Sequence, residues 1–237
     1  MRIDTQYSKI FISTGINSII KKFIDESEYT KYFILVDENT SRYCLPVLQI
    51  KNDIEEVKII EIKSGESNKT IKTVSEIWKF LTQNNADRSS LLINLGGGII
   101  GDMGGFAAST FKRGIDFVNI PTTLLSQVDA SVGGKTGINF ENFKNEIGVF
   151  NHPKHVFIDS TFLQTLDKRN IFSGWAEMIK HTLIFGQSDF EHLIHHKIQN
   201  INYKTLNQLI SKSVAIKNHF VDSDPYEKGI RKALNFG

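Results

Sequence analysis

The chain reads as an α/β fold: a parallel sheet first, then a segment of helices only. Three observations predict this. Apolar runs of strand length recur at 32–36, 57–62, 91–95, 115–120 and 156–158. Segments with helical spacing lie between them, and alternation of this kind argues for a parallel sheet covered on both faces. After Leu166 the strand signal stops, and 172–185 and 205–221 read as helices. The expected division is therefore 1–166 for the α/β domain and 167–237 for the start of a helical one.

Each element has its own signal. The run at 32–36 ends at Asp37, and a helix is expected over 40–50. The strand at 57–62 precedes a helix over 69–83, where Ile71, Val74, Ile77, Trp78 and Leu81 share one face. The run at 91–95 ends in glycines and is followed by a helix-like stretch at 106–111. The strand at 115–120 is stopped by Pro121, and the last, at 156–158, by Asp159. Ligands in such folds sit beyond the carboxyl ends of the strands. Asp37, the turn at Gly96 and Thr122 all follow strands directly, so they are expected at one edge.

Composition narrows the function. At 237 residues, the chain suits one large domain or two small ones of roughly 100–200 residues each. A formal net charge of +2 with scattered lysines gives no reason to expect nucleic acid as a partner. A single cysteine, Cys44, excludes an intramolecular disulfide and a Cys-based zinc site, and its apolar neighbours predict a small buried hydrophobe. The N-terminus lacks a signal-peptide pattern, and no apolar run approaches the ~20 residues needed to span a bilayer. The expectation is a cytoplasmic protein with no membrane partner, in which the sequons at Asn39 and Asn68 are chance matches.

The densest motif is Gly96-Gly97-Gly98-Ile99-Ile100-Gly101-Asp102-Met103-Gly104-Gly105. Glycines let backbone N–H groups approach an anion, and a helix N-terminus adds partial positive charge, so a phosphate-bearing ligand is expected. The bland alternative is a tight structural turn. A G-x-G-x-x-G match exists at Gly96, Gly98 and Gly101, but no acidic residue ends a strand about twenty positions later, where a ribose contact belongs. Val132-Gly133-Gly134-Lys135-Thr136-Gly137 resembles the end of a P-loop, yet Asp129 stands where that motif needs glycine. What remains is Lys135 in a glycine frame, against the alternative of a surface loop. Glu177, Lys180 and His181 fall on one helical face, either a solvated salt-bridge face or, given apolar neighbours, a buried one. Lys217 lies on the apolar stripe of Ile210, Val214 and Val221; it either snorkels or points into a pocket.

Together these pieces resemble the 3-dehydroquinate synthase family. The carrying stretches are Gly96-Gly97-Gly98-x-x-x-Asp102, Pro121-Thr122-Thr123-Leu124-Leu125-x-Gln127-Val128-Asp129-Ala130-Ser131-Val132-Gly133-Gly134-Lys135-Thr136-Gly137, Lys144-Asn145-x-Ile147-Gly148-x-Phe150 and Ser173-Gly174-x-Ala176-Glu177-x-Ile179-Lys180. The resemblance runs from about Ile34 to the end of the chain. It implies a Rossmann-like NAD-binding domain joined to a helical domain, incomplete here, with the active site between them.

By this resemblance, Asp37, Asn39, Glu66 and Lys69 match the adenosine end of NAD, and Gly97, Gly98 and Asp102 match its pyrophosphate turn. Thr122, Thr123, Asp129, Lys144, Phe162 and Thr165 match further cofactor contacts. Arg113, Lys135, Asn145, Lys180, Lys217, Arg231 and Asn235 match substrate positions, with Lys135 also on the cofactor side. Glu177 matches a ligand of a divalent metal, zinc or cobalt. The implied reaction converts 3-deoxy-D-arabino-heptulosonate 7-phosphate to 3-dehydroquinate and phosphate, in the shikimate route to aromatic amino acids. NAD oxidises an alcohol, phosphate leaves, and the hydride is returned. Family members are usually homodimers, with the residue at Arg113 often serving the neighbouring subunit.

The family's two other metal ligands are histidines that would lie beyond Gly237. The expectation is thus a truncated chain with one metal ligand, and with Leu206, Ile210 and Val214 short of partners. Alternatives are an NAD- and metal-dependent alcohol or glycerol dehydrogenase, another sugar phosphate cyclase such as 2-deoxy-scyllo-inosose synthase, and a remnant that only binds NAD. The pairing of Lys217 with Arg231 favours a substrate carboxylate, which glucose 6-phosphate lacks.

Overall fold

A computed structural model describes residues 1–52, 56–198 and 201–236. Strands β1 (Arg2–Asp4) and β2 (Lys9–Ser13) lead into α1 (Asn17–Asp25), β3 (Lys31–Asp37), α2 (Glu38–Tyr43), β4 (Val57–Ile62) and α3 (Ile71–Gln83). Then come β5 (Ser90–Gly96), α4 (Gly98–Thr110), β6 (Asp116–Pro121), a hairpin of β7 (Lys135–Phe140) and β8 (Phe143–Phe150), and β9 (His155–Asp159). Helices α5 (Lys168–Phe185), α6 (Gln187–Ile194) and α7 (Tyr203–Ser223) follow, and a 3-10 turn spans Ile230–Asn235.

The main sheet has seven strands in the order β1-β2-β9-β6-β5-β3-β4, and only the β1–β2 pair is antiparallel. β5 is an interior strand, flanked by β6 and β3, and is buried along its whole length, which is why it reads as an unbroken apolar run. Side chains of alternate strand residues supply two cores, as the period of two requires. Phe33, Leu35 and Leu92 meet α3 and α4; Ile34, Val36, Leu91 and Ile93 meet α1 and the segment after α2.

The expected elements are present with shifted ends. The 40–50 helix is much shorter: α2 stops at Tyr43, and a separate 3-10 turn occupies Gln49–Asn52. Pro46 explains the break, since it lacks an N–H and pushes the residue before it away from helix. Asp37 caps α2, with its carboxylate accepting from the N–H groups of Asn39 and Thr40. α3 begins at Ile71 behind its Thr70 cap, which leaves Lys69 outside, and Ile71 is 46% exposed, off the buried face. α4 begins at Gly98, well before the expected 106. Its interior glycines each cost roughly 1 kcal/mol of helix propensity, and packing offsets this. A Cβ on Gly104 would lie 1.9 Å from Asn94 Oδ1, and one on Gly105 would lie 2.4 Å from the Thr136 methyl.

Sequence reading missed β1, β2, α1, α6 and the hairpin. All eight residues of β8 are exposed, so no alternation marks it. The stripe of Leu206, Ile210 and Val214 is not short of partners. All three are buried, in a core shared with Ile10 and Ile12 of β2, Val156 and Ile158 of β9, and Leu124 and Val128. Cys44 is free and buried, as expected, and no described helix is long and apolar enough to cross a membrane.

Two expectations for stability follow from this packing. Gly104→Ala should destabilise the fold by about 1–3 kcal/mol, read as a lowered urea midpoint; an unchanged midpoint would refute the close approach. His155 stacks on Phe11 and Phe157, and burial together with Lys9, Arg2 and Lys154 lowers its pKa from 6.5 to about 4. The unfolded chain therefore binds the extra proton between those values, so this contribution is complete above pH 6.5 and lost as the pH falls toward 4. Urea unfolding across that window should show a fall that His155→Phe flattens.

Candidate active site

α4 starts at the carboxyl end of β5 with Gly97 as its N-cap. Neither a capping side chain nor an acidic residue occupies its first turn, so its leading N–H groups keep their affinity for an anion. A Cβ on Gly97 would come within 3.2 Å of Thr123, and one on Gly98 within 3.2 Å of Ala130. The glycines therefore serve close packing as well as the turn.

Beside that helix end lies a cavity of about 510 Å³. It gathers eight of the residues singled out in the sequence: Asp102, Asp129, Lys135, Asn145, Lys180, Lys217, Arg231 and Asn235. They come from α4, the π-turn Ser126–Ala130, both hairpin strands, α5, α7 and the final 3-10 turn. Glu227, which sequence reasoning passed over, also lines the cavity and pairs with Lys135.

The cavity's charges are matched. Lys217 is buried, with Nζ 2.5 Å from both the backbone oxygen and Oδ1 of Asp129. Of the two readings of Lys217, the structure shows the second: it points into the pocket. Lys180 Nζ lies 2.5 Å from Glu177 Oε1 and donates to Leu234 O at 2.8 Å. Lys69 Nζ lies 2.5 Å from Asp102 Oδ2 and 2.5 Å from Asn145 Oδ1. The Arg231 guanidinium donates to the carbonyls of Pro225 and Gly133 at 2.6 and 2.8 Å. Gly133, at φ 105°, is glycine for that reason too: a Cβ there would sit 2.7 Å from Arg231 Nη2.

Ionisation follows these partners. Burial pushes the Asp129 carboxyl up, but the Lys217 ammonium outweighs it and holds the group below the usual carboxylate range. Burial likewise raises Glu177 and Glu227, while the neighbouring His181 ring and Lys180 ammonium in the first case, and Lys135 in the second, bring each below its ordinary value. For Asp102 burial wins over Lys69, and its carboxyl is raised.

His181 is fully buried on α5, one turn after Glu177. Its Nδ1 is 2.8 Å from Ser213 Oγ on α7. Its Nε2 makes no hydrogen bond and stands 3.3 Å from Glu177 Oε1 and 3.9 Å from Asp129 Oδ1. One ligand atom from each of Asp129, Glu177 and His181 falls within 4.8 Å of the others. A buried imidazole nitrogen without a partner, facing two carboxylates, fits a divalent cation of the zinc or cobalt type. Glu177, the metal ligand expected from the resemblance, thus lies in a group of three candidate donors.

Other singled-out residues do not line this cavity. Arg113 is exposed at φ 71° beyond the far end of α4. Phe162 is buried in the core against α1. Asn39, Glu66, Lys144 and Thr165 are exposed. Thr122 and Thr123 follow β6, where Thr122 N donates to Gly96 O.

Comparison with known proteins identifies the family. Models of the 3-dehydroquinate synthase N-terminal and C-terminal regions match residues 59–173 and 174–237. The 3-dehydroquinate synthase of Parabacteroides distasonis is 49% identical over 229 residues, covering 97% of this chain and 65% of that protein. That of Ruminiclostridium cellulolyticum is 42% identical over 96% of this chain, again 65% of its own length. The chain thus spans a little under two thirds of these relatives. In structure it resembles 2-epi-5-epi-valiolone synthase from Streptomyces hygroscopicus, solved with NAD+ and Zn2+. There the TM-score is 0.87 and the identity 25%, covering 99% of this chain and 66% of the other. Two contiguous family models, relatives above 40% identity and a common fold make the chain a member of the 3-dehydroquinate synthase family.

Proposed function

We propose that this protein converts 3-deoxy-D-arabino-heptulosonate 7-phosphate to 3-dehydroquinate, releasing phosphate, with NAD+ and a divalent cation as cofactors. The carrying observation is the cavity itself: Lys135, Lys180, Lys217 and Arg231 converge beside the uncapped N-terminus of α4. When bound, the nicotinamide supplies reversible oxidation of an alcohol and the cation supplies Lewis acidity.

The chain's own residues do the rest. The lysines and Arg231 suit a ligand carrying both a phosphate and a carboxylate, which they would neutralise and orient. The N–H groups that open α4 would bind the cofactor's pyrophosphate. Glu177 and His181, with Asp129 beside them, would hold the cation, and Ser213 fixes the His181 ring. Glu227, ionised beside Lys135, is positioned to accept a proton from a bound ligand. As ligand positions, Asp37, Asn39, Glu66, Thr122, Thr123, Lys144, Phe162 and Thr165 rest on family resemblance, as does a homodimer in which Arg113 serves the partner. Structural relatives support the cofactor choice, since 2-deoxy-scyllo-inosose synthase is solved with NAD+ and Co2+ and 2-epi-5-epi-valiolone synthase with NAD+ and Zn2+.

The test is turnover. With NAD+, Co2+ and the heptulosonate phosphate, inorganic phosphate should be released without net NADH. Accumulating NADH would indicate a dehydrogenase, and release from glucose 6-phosphate alone would indicate a different cyclase. The cation site is checked separately by titration with Co2+. Ser213→Ala removes only the hydroxyl that holds His181 Nδ1 and should weaken Co2+ binding about 10–100-fold. Unchanged affinity would remove His181 from the ligand set.

A further inference from the structure

We propose that Lys69 is a positioning residue that couples the two halves of the cavity, its buried ammonium gripping Asp102 on the glycine-turn helix and Asn145 on the hairpin at once. This rests on the proposed reading of the α4 end as the cofactor's pyrophosphate site and of the side lined by Lys135 and Asn145 as the one that binds the substrate's anionic groups. It departs from the family expectation for Lys69, which places the residue at the cofactor's adenosine end.

The geometry is specific. The Lys69 side chain is 5% exposed, and its Nζ lies 2.5 Å from each acceptor, one 33 residues and the other 76 residues away in sequence. A lysine buried to this degree is held by its partners, because its charge has left water. The backbone is stitched as well: Asn139 N donates to Lys69 O at 2.9 Å. The Asn139 side chain donates to Glu66 Oε1 at 2.9 Å and accepts from Asn145 N at 2.9 Å.

Asn145 needs this support. It sits at φ 54° inside β8, a left-handed conformation in an extended strand. Such a conformation persists only where its surroundings enforce it. Burial does not, since every residue of β8 is exposed. Asn145 lies across from the irregularity between Ile138 and Phe140 in the β7–β8 ladder, and polar contacts to Asn139 and Lys69 hold it there. Asp102, the other acceptor, follows the glycine turn on α4 and lines the same cavity as Asn145.

A ligand on either side thus acts on the same ammonium. Pyrophosphate at the start of α4 would fix Asp102, and with it Lys69; an anionic ligand in the cavity against Lys135 on β7 would fix the hairpin, and with it Asn145 and Lys69. The ordering of this clasp is completed by whichever ligand binds first, so the second should bind more tightly, and linkage makes the effect reciprocal.

The experiment measures NAD+ affinity with and without saturating inorganic phosphate. In the wild-type protein, phosphate should tighten NAD+ binding by roughly fivefold or more. In Lys69→Met, which keeps the apolar stem, the two ligands should bind independently. A merely structural Lys69 would weaken both affinities and leave their ratio intact. Full coupling in Lys69→Met, or none in the wild type, overturns the proposal while the functional reading stands. Wild-type protein that does not bind NAD+ at all overturns both. Should Lys69→Met fail to fold, Lys69→Gln, which keeps a donor but removes the charge, decides by the same ratio.

Discussion

The closeness of α4 to the sheet sets the geometry of everything around it. Gly104 lies where any side chain would run into Asn94 and Leu35, and Gly105 where one would meet Thr136 and Phe117. Glycine at both positions lets the helix backbone settle onto β5 and against the start of the hairpin. That depth fixes the uncapped N-terminus of α4 at the carboxyl end of β5, and it carries Asp102 to the cavity wall. Residues with larger side chains there would lift the helix and open the distances on which Lys69 depends. Helix propensity is given up, and the backbone approach offsets the loss through buried contact.

Arg231 does comparable work at the opposite wall. It is 2% exposed, and its guanidinium is bound to two main-chain carbonyls instead of a carboxylate. Those bonds tie the final 3-10 turn to the glycine loop before β7, and Phe150 packs 5.8 Å from the guanidinium carbon. Burial lowers its pKa only from a very high starting point, so the group stays charged. A guanidinium whose charge is not cancelled by a carboxylate contact keeps its field available to an incoming anion.

Much of this was legible in the sequence because its signals were local. Alternating apolar runs marked the parallel strands, and the glycine run marked the uncapped turn into α4. Glu177, Lys180 and His181 were placed on one face by helical spacing alone, and the face is mostly buried. Other features depend on long-range closure and leave no local trace. The hairpin lacks a buried face on β8, so it shows no period-two pattern. Glu227 stands in a polar stretch at φ 56°, and only the return of the chain to Lys135, 92 positions away in sequence, gives it a role. Asp129 joins Glu177 and His181 because a π-turn directs it there, which spacing cannot reveal. The apolar stripe of α7 was misjudged for the same reason. Its cover comes from β2 and β9, strands at the far side of the sheet order.

Charge balance links the anion and cation sites. Around the cavity, Lys69 is paired with Asp102, Lys217 with Asp129, Lys180 with Glu177 and Lys135 with Glu227. An anionic ligand that draws Lys180 and Lys217 to itself takes them from Glu177 and Asp129. Those two carboxylates would then face each other, with His181 between them, lacking counter-charge in a poorly solvated place. A divalent cation supplies that charge, and the imidazole nitrogen that has no hydrogen bond supplies a further donor. Each event lowers the electrostatic cost of the other, because the lysines and the cation share the same carboxylates. The cluster is therefore a weaker cation site while the lysines are bound to it than after they have turned to a ligand. On the proposed function, anion and cation binding would then be two halves of one rearrangement.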